Sequence, residues 1–208
     1  LSMYFIFQIF FPKNEFECFT ASPEARPNTN FDLNMLLNNS SVLSLFKISD
    51  DNTHINQFVI SHPLFSQSGS VYCNDEPGRP FATDATKYAL FSAALCEALL
   101  QGLITRPQAL HLHDWHSACV AVLLKFDKRY DTLANLHIAY TVHNLALQGI
   151  RPFKHDDSSL EAWFPSLGYN GLHLCDPRYP HCFNPMRSAI NLADKVHLVS
   201  PTYSTEVL

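Results

Sequence analysis

Two short polar motifs contain the side chains of this chain that are best suited to chemistry. A His-Asp-Trp-His motif occupies positions 113–116, and a Thr-Val-His-Asn-Leu-Ala-Leu-Gln-Gly motif occupies positions 141–149. Imidazole, carboxylate and carboxamide groups exchange hydrogen bonds with hydroxyl groups and stabilise charge that develops in a transition state. Together the two motifs favour a binding site for a hydroxyl-rich ligand, in particular a sugar.

Each motif follows a short apolar run that is typical of a buried strand, at 109–112 and at 136–140. The polar residues therefore stand where a strand passes into a loop or a helix. In open α/β sheets, ligands bind in the crevice beyond the carboxyl ends of the strands. We therefore expect Asp114, His143 and Asn144 to face one crevice.

Asp114 has two interpretations that the sequence leaves open. Its carboxylate either accepts hydrogen bonds from sugar hydroxyls or caps the helix that follows, whose N-terminus favours negative charge. His111, His113 and His116 also suggest a metal site, because imidazole is the commonest metal ligand. No set of Asp, Glu or Cys with ligand spacing completes that cluster, so we expect no metal and interpret His111 as a hydrogen-bonded core residue.

The elements that must position these motifs alternate between strand-like and helix-like stretches. Such alternation is typical of βαβ units, and it predicts an α/β fold with a parallel sheet. The strands lack a clean alternation of polar and apolar residues, which favours helices on both faces of the sheet. The predicted strands are 58–60, 109–113, 136–142 and 196–200, and the predicted helices are 85–101, 115–126 and 183–192. The first of these helices is strongly apolar, and we expect Gly102 to end it.

The two ends of the chain and one internal segment depart from this pattern. Residues 1–11 are apolar but lack the basic start and cleavage site of a signal peptide, so we interpret them as a strand. Residues 23–57 are rich in Asn, Ser and Asp with weak periodicity, and we expect a variable, peripheral or flexible segment there. Residues 200–208 stop within a helical pattern, so we interpret the chain as a fragment at both ends.

Length, charge and composition favour a globular protein over a nucleic-acid-binding or membrane-spanning one. The 208 residues suffice for one good core, and the net charge of −5, without a basic cluster, argues against a nucleic-acid surface. No apolar run reaches the ~18 residues of a membrane span. The six cysteines are scattered, and some fall in apolar helical runs, so we expect reduced thiols and a cytoplasmic protein.

Other motifs are weaker. The segment from Cys175 to Cys182 invites a zinc interpretation, but the cysteine spacing is wrong for a zinc knuckle and two prolines stiffen it. We therefore expect a rigid surface loop there. Ser117 lacks the Gly-x-Ser-x-Gly context of a nucleophile elbow. The sequence contains neither a Gly-x-Gly-x-x-Gly fingerprint nor a Walker loop.

Three segments in register resemble the N-terminal half of bacterial glycogen synthases and plant starch synthases. They are His-Asp-Trp-His-Ser-Ala at 113–118, Tyr-Thr-Val-His-Asn-Leu-Ala-Leu-Gln-Gly-Ile at 140–150, and the run from Phe183 to Tyr203 that contains Asn-Pro-Met-Arg-Ser-Ala. The resemblance covers residues 69–208. Within it, Gly-Ser-Val-Tyr at 69–72 is similar to a small-residue-Pro-Tyr segment of that family, with valine in place of proline.

The resemblance implies two facing Rossmann-like domains, the GT-B arrangement, with this chain in the N-terminal one. The implied reaction transfers glucose from ADP-glucose to the non-reducing end of an α-1,4-glucan with retention of configuration, without a metal or another cofactor. By position in the motifs, His143 is the implied catalytic residue beside the transferred glucose. Asp114, Asn144, Tyr72 and Gln148 are the implied substrate-binding residues.

Some parts of the family pattern are absent or altered in these 208 residues. The Lys-Thr-Gly-Gly loop and the C-terminal nucleotide-binding domain are missing, so residues 1–208 are interpreted as a partial catalytic domain that is inactive alone. Where relatives read Asp-Asn-x-x-Arg-Phe, Asp84 and Lys87 are the expected equivalents of the Asp and the Arg. Two alternatives stay open: a related transferase with another acceptor, such as sucrose or a lipid, and a glucan-binding remnant without turnover.

Overall fold

A computed structural model describes residues 5–6, 29–33, 41–49, 56–66, 72–73, 75–169 and 171–207 of the chain. Its main sheet has four strands, and every neighbouring pair is parallel. In spatial order the strands are β1 (Phe5–Ile6), β5 (Ala109–His113), β6 (His137–Val142) and β9 (Lys195–Leu198). The predicted α/β class with a parallel sheet is confirmed, and so are its strands from residue 109 onward, to within two residues at each end.

The helices that accompany this sheet agree with the predicted ones to within about three residues at each end. No helix in the described ranges is both long and apolar enough to cross a membrane. The helices are α1 (Pro63–Ser66), α2 (Ala82–Leu100), α3 (Asp114–Phe126), a 3-10 helix (Lys128–Leu133), α4 (Leu160–Trp163), α5 (Gly171–Leu174), α6 (Pro185–Leu192) and α7 (Pro201–Val207).

A second, antiparallel sheet corrects two expectations. Residues 29–33 and 41–49, within the segment expected to be flexible, form β2 (Thr29–Leu33) and β3 (Ser41–Ser49), and β4 (Asn56–Ser61) completes a sheet of order β2-β3-β4. The strand predicted at 58–60 therefore exists, but it belongs to this sheet and not to the parallel one. Leu43 and Leu45 are buried with Ser44 between them, a period-2 signal that the Ser- and Asn-rich composition conceals.

Helix α2 carries much of the core. It is rich in alanine, which has the highest helix propensity, and its residues are buried almost all round. At its end Gly102 adopts a φ of 72°, the amide of Leu103 donates to the carbonyl of Ala98, and the amide of Gly102 donates to that of Leu99. These are the two hydrogen bonds of a Schellman motif, in which glycine supplies the left-handed residue. The predicted stop at Gly102 is thus confirmed.

Helix α3 forms the other half of the core, since its residues from Ser117 to Leu124 are all buried. It packs against both α2 and α6. At the start of α6, the side chain of Asn184 accepts a hydrogen bond from the amide of Arg187, and Pro185 takes the first helical position. Both are favourable features of a helix start, so Asn184 and Pro185 determine where α6 begins.

The two faces of strand β5 differ in burial. Leu110 and Leu112 are fully buried, whereas His111 and His113 are half-buried on the opposite face. Strand β9 is largely exposed over its described residues. The parallel sheet is therefore not covered uniformly, and the histidine face of β5 is the one that continues into the candidate site.

A second left-handed glycine lies in the loop that follows β6. Gly149 has a φ of 71°, and an added Cβ would lie 2.2 Å from a ring carbon of Trp115. Trp115 begins the buried part of α3, so the loop after β6 packs directly against the helix after β5. Only a residue without a side chain permits this approach.

We expect Gly149→Ala to lower the free energy of unfolding by about 2–5 kcal/mol. A left-handed alanine costs about 1–2 kcal/mol, and overpacking against the Trp115 ring adds about 1–3 kcal/mol. Gly102→Ala is the matched control, because its φ of 72° is nearly the same but nothing lies within 4 Å of the added Cβ. Urea unfolding of both variants measures the difference, and equal losses would show that the contact with Trp115 is unimportant.

Candidate active site

The carboxyl ends of β5 and β6 lie side by side. His113, the last residue of β5, pairs with Thr141 near the end of β6, so Asp114 and His143 follow at neighbouring positions. Asp114 adopts a φ of 50°, in the left-handed region that non-glycine residues rarely occupy. Such backbone strain costs on the order of 1–3 kcal/mol and persists only where surrounding contacts hold it.

The contacts that hold Asp114 come from the next strand. One carboxylate oxygen, Oδ1, accepts hydrogen bonds from the amide of His143 at 2.8 Å and from the amide of Asn144 at 3.4 Å. The residue before α3 is His113, and no side chain makes a capping hydrogen bond there. The interpretation of Asp114 as a helix cap is therefore wrong, because its carboxylate is turned toward the loop after β6. Its second oxygen, Oδ2, has no hydrogen-bond partner among the described residues and is free to accept one from a ligand.

The side chain of His143 is exposed and held by another histidine. Its Nε2 lies 3.0 Å from Nδ1 of His113, which is half-buried. The ring of His113 packs against that of His111 at 4.2 Å between centroids, and Nε2 of His111 lies 2.6 Å from Oγ1 of Thr141. His111 is thus hydrogen-bonded as predicted, and the histidines form a row that ends at the exposed ring of His143.

Burial lowers the pKa of the two inner histidines of this row, His111 and His113. Desolvation, with further contributions from His111 and His143, lowers the pKa of His113 to about 4. At neutral pH His113 is therefore uncharged, and it shares one hydrogen bond with His143. That bond fixes the plane of the exposed ring without adding a positive charge from His113. The structure thus assigns His113, which the sequence analysis named only as a possible metal ligand, a role in orienting His143.

Tyr72 reaches the other motif. Its hydroxyl lies 3.0 Å from Nε2 of His116, and 45% of the residue is exposed. Burial lowers the pKa of His116 to about 4, although the nearby carboxylate of Asp114 opposes the shift. Burial, together with Asp84 and Asp114, raises the pKa of Tyr72 above its ordinary value. The tyrosine is therefore an uncharged phenol at neutral pH, beside a neutral imidazole.

Asn144 and Gln148 shape the loop between them. Oδ1 of Asn144 accepts a hydrogen bond from the amide of Ala146 at 2.8 Å, an Asx turn. Nε2 of Gln148 donates to the carbonyl of Leu145 at 2.8 Å, and its Oε1 accepts from Nδ2 of Asn184 at 2.7 Å. Both ends of the Gln148 amide are thus bonded to the protein, whereas the exposed Nδ2 of Asn144 has no partner in the described ranges.

Asn184 was not singled out in the sequence, although it lies within the third motif. Besides bonding Gln148, its Nδ2 donates at 2.7 Å to Asp176, which is fully buried. Asp176 also accepts from the amides of Arg178 and Tyr179 and so fixes the segment expected to be a rigid surface loop. No group of three or more side chains that could hold a metal ion occurs among the described residues.

Asp84 and Lys87 are buried on α2 and contact Cys73, the residue that follows Tyr72. Both oxygens of Asp84 lie 3.1 Å from the amide nitrogen of Cys73, and Nζ of Lys87 donates to the sulfur of Cys73 at 3.0 Å. Asp84 is 0% and Lys87 1% exposed. These two residues therefore hold the segment that carries Tyr72.

A cavity of about 380 Å³ lies next to the start of α2, and residues that follow Cys73 in the chain, among them Asp75, line it. Several of its polar lining residues bond to one another or to nearby residues: Asp75 accepts from the amide and hydroxyl of Thr83, and Arg79 binds both Asp156 and Asp157. None of the five predicted site residues lines it. The strand-end crevice, and not this cavity, is therefore the candidate site.

The crevice contains the imidazoles of the histidine row and of His116, the carboxylate of Asp114, the carboxamide of Asn144 and the phenol of Tyr72. These groups can exchange hydrogen bonds with sugar hydroxyls and can stabilise a positively polarised carbon. None of them carries a permanent positive charge. The arrangement suits the binding of a hydroxyl-rich ligand.

Comparison with known proteins places these motifs in a family. The family model for the starch synthase catalytic domain matches residues 9–208. The glycogen synthase of Vibrio cholerae is 32% identical over 152 residues, which are 73% of this chain and 30% of that enzyme. The glycogen synthase of Variovorax paradoxus is 34% identical over 157 residues, which are 74% of this chain and 30% of that enzyme. The chain thus spans about a third of the length of these relatives.

A solved structure shows the same fold. The catalytic domain of Starch Synthase IV from Arabidopsis thaliana, bound to ADP and acarbose, superposes with a TM-score of 0.64 at 25% identity. The match covers 88% of this chain and 35% of that one. With the family model covering nearly every residue, the chain belongs to the starch synthase catalytic domain family, together with the bacterial glycogen synthases.

Proposed function

We propose that this chain forms the acceptor-side half of a glucosyltransferase that transfers glucose from ADP-glucose to the non-reducing end of an α-1,4-glucan with retention of configuration. The observation that carries the proposal is the hydrogen bond from the amide of His143 to Asp114. It brings two family motifs into one crevice and leaves an exposed imidazole and a free carboxylate oxygen available for binding.

The transfer breaks the bond between the anomeric carbon and the diphosphate and forms one to the acceptor oxygen. The anomeric carbon becomes positively polarised on the way, and the leaving diphosphate gains negative charge. In our proposal the imidazole of His143 and Nδ2 of Asn144 bind hydroxyls of the transferred glucose, Oδ2 of Asp114 accepts from a further hydroxyl, and Tyr72 lines the cleft. Gln148 acts through the loop that carries His143 and Asn144.

The charge that the diphosphate needs must come from elsewhere. We propose that a second domain of the full-length protein supplies it, as the GT-B arrangement implies. Two observations support this division: the chain spans about a third of its relatives, and the related starch synthase domain carries ADP together with acarbose. A site divided in this way needs no metal and no further cofactor.

We place the reaction in the cytoplasm. The five described cysteines all have free thiols, which suits a reducing compartment. Burial raises the pKa of Cys96 and raises that of Cys119 to about 12, so these two thiols act as small apolar core residues.

His143→Ala in the full-length protein tests the proposed activity. We expect kcat for the transfer of labelled glucose from ADP-glucose to glycogen to fall by a factor on the order of 10² or more, with KM changed less. The imidazole acts on the transition state, and its removal from an exposed position costs little packing. His137→Ala is the control, because this exposed histidine begins the same strand at the end away from the crevice.

Two outcomes contradict the proposal. If His143→Ala keeps a near-normal kcat, the imidazole has no role in transfer. If the unaltered full-length protein binds glycogen but transfers no glucose to it, or transfers glucose only to a small acceptor such as sucrose, the acceptor assignment is wrong.

Asp114→Asn separates the structural role of this residue from a role in binding sugar. Asparagine tolerates the left-handed backbone, and its Oδ1 can still accept from the amide of His143. Its second position becomes a donor, so a charge-assisted bond to a sugar hydroxyl, worth about 1.5–3 kcal/mol, is lost. We expect kcat/KM to fall at least about tenfold while the thermal midpoint changes little.

Asp114→Ala is the companion variant, because it removes the acceptor for the loop as well. It should lower both the thermal midpoint and kcat/KM. If Asp114→Asn retains full activity while Asp114→Ala loses it, the carboxylate serves only to position His143.

A further inference from the structure

A thiol, an amine and a carboxylate meet at Cys73, the residue that follows Tyr72. The sulfur of Cys73 is 3.0 Å from Nζ of Lys87, and the amide of Cys73 donates to Asp84. Lys87 and Asp84 stand one helical turn apart on α2, and both are buried. The amine of the buried Lys87 therefore contacts the sulfur directly.

The position of Cys73 differs from that of the core cysteines. Cys96 and Cys119 are fully enclosed in the packing of α2 and α3, whereas Cys73 is half-exposed. Oxidation of a thiol by a peroxide requires that the peroxide can reach the sulfur, and the two core thiols do not meet this condition. Lys87 cannot turn away into solvent, because 1% of the residue is exposed. If Cys73 is oxidised to a sulfenic acid, its electrophilic sulfur is therefore in contact with the amine of Lys87.

We propose that Cys73 and Lys87 form an oxidation-dependent modification site, in which a hydroperoxide oxidises the thiol and the lysine amine then bonds to the sulfur. The product is an intramolecular sulfenamide between two side chains. The site is distinct from the crevice, and the proposal does not depend on the transferase reaction.

The chemistry balances in two steps. In the first, the sulfur attacks the O–O bond of hydrogen peroxide: an S–O bond forms, the O–O bond breaks, sulfur loses two electrons, and water leaves. In the second, the lone pair of Nζ attacks the sulfur of the sulfenic acid: an S–N bond forms, the S–O bond breaks, and the departing oxygen takes a proton from nitrogen to leave as water. A thiol reductant reverses the product to free Cys73 and Lys87.

The second step requires an uncharged amine, and Asp84 can accept its proton. Burial raises the pKa of Asp84, although hydrogen bonds from Cys73 oppose the shift. The carboxylate is therefore a better base than an exposed one and lies beside the reacting pair.

The crosslink also has a structural consequence. It replaces a 3.0 Å contact by a covalent bond and draws Cys73 toward α2. Tyr72 is the preceding residue, and its hydroxyl is bonded to His116. Oxidation at Cys73 thus displaces the one predicted site residue that lies on this segment.

Mass spectrometry of the peroxide-treated protein tests the proposal. Cleavage on the N-terminal side of aspartates cuts before Asp75 and before Asp84, so it separates Cys73 from Lys87 in the unmodified chain. We expect the two peptides to remain joined after treatment, with a mass two hydrogens below their sum. Dithiothreitol should separate them again.

Lys87→Arg identifies the nucleophile, because arginine keeps the positive charge but does not form the bond. In this variant we expect no joined peptides, and Cys73 should instead be trapped as a sulfenic acid by dimedone. Cys73→Ser should give neither product. The result for the unaltered protein decides the question, so a folding defect in a variant does not affect it. If Cys73 of the unaltered protein stays unoxidised, or is oxidised without joining the two peptides, the proposal is wrong.

Discussion

The hydrogen bond from the amide of His143 to the carboxylate of Asp114 joins the ends of two parallel strands, and the crevice depends on it. It holds Asp114 in a left-handed conformation that is otherwise unfavourable. It also defines where the loop after β6 begins. Because the bond uses one carboxylate oxygen and the backbone of His143, it leaves the second oxygen for a ligand, together with the nitrogen of the His143 ring that is not bonded to His113.

The same loop is held at its far end by packing. Gly149 lies against the ring of Trp115, and Gln148 is bonded to Asn184 at the start of α6. The loop is thus fixed to α3 and to α6, two helices that pack against each other. Rigid apolar elements position a small number of polar groups, which is the arrangement that precise binding of a reacting sugar requires.

Burial also determines the charge of the crevice. The low pKa values of His113 and His116 follow from their half-buried positions, so both support their neighbours as neutral hydrogen-bonding groups. A departing diphosphate is stabilised by positive charge. If that charge lay in the crevice of this chain, it would repel the positively polarised carbon of the sugar. The proposed division between two domains separates those two electrostatic requirements.

Much of this organisation could be predicted from the sequence. Strand β5 was predicted at 109–113, where the structure has it, because a short apolar run ends in polar residues, and α2 was predicted because its apolar, alanine-rich pattern ends at a glycine. The sheet formed by β2, β3 and β4 was not predicted as a sheet, because its buried leucines alternate with serine in a segment of polar composition.

The partner of Asp114 could not be predicted either. It is a backbone amide 29 positions along the chain, and every residue except proline has such an amide. The roles of His113 and Gln148 depend on the direction in which each side chain turns at the end of a strand. Residue type and spacing place these side chains near the crevice, but only the three-dimensional structure shows which of them are already bonded to the protein.

The most direct test of the central claim is a titration of this protein with acarbose, followed through the backbone amide signals in nitrogen–proton correlation spectra. The amides of His143 and Asn144 report on the Asp114 carboxylate to which they are bonded. If the strand ends form one sugar-binding crevice, the largest shifts fall on these two amides and on Tyr72 and His116. Shifts confined to the lining of the cavity beside α2, or no shifts at all, would contradict the account.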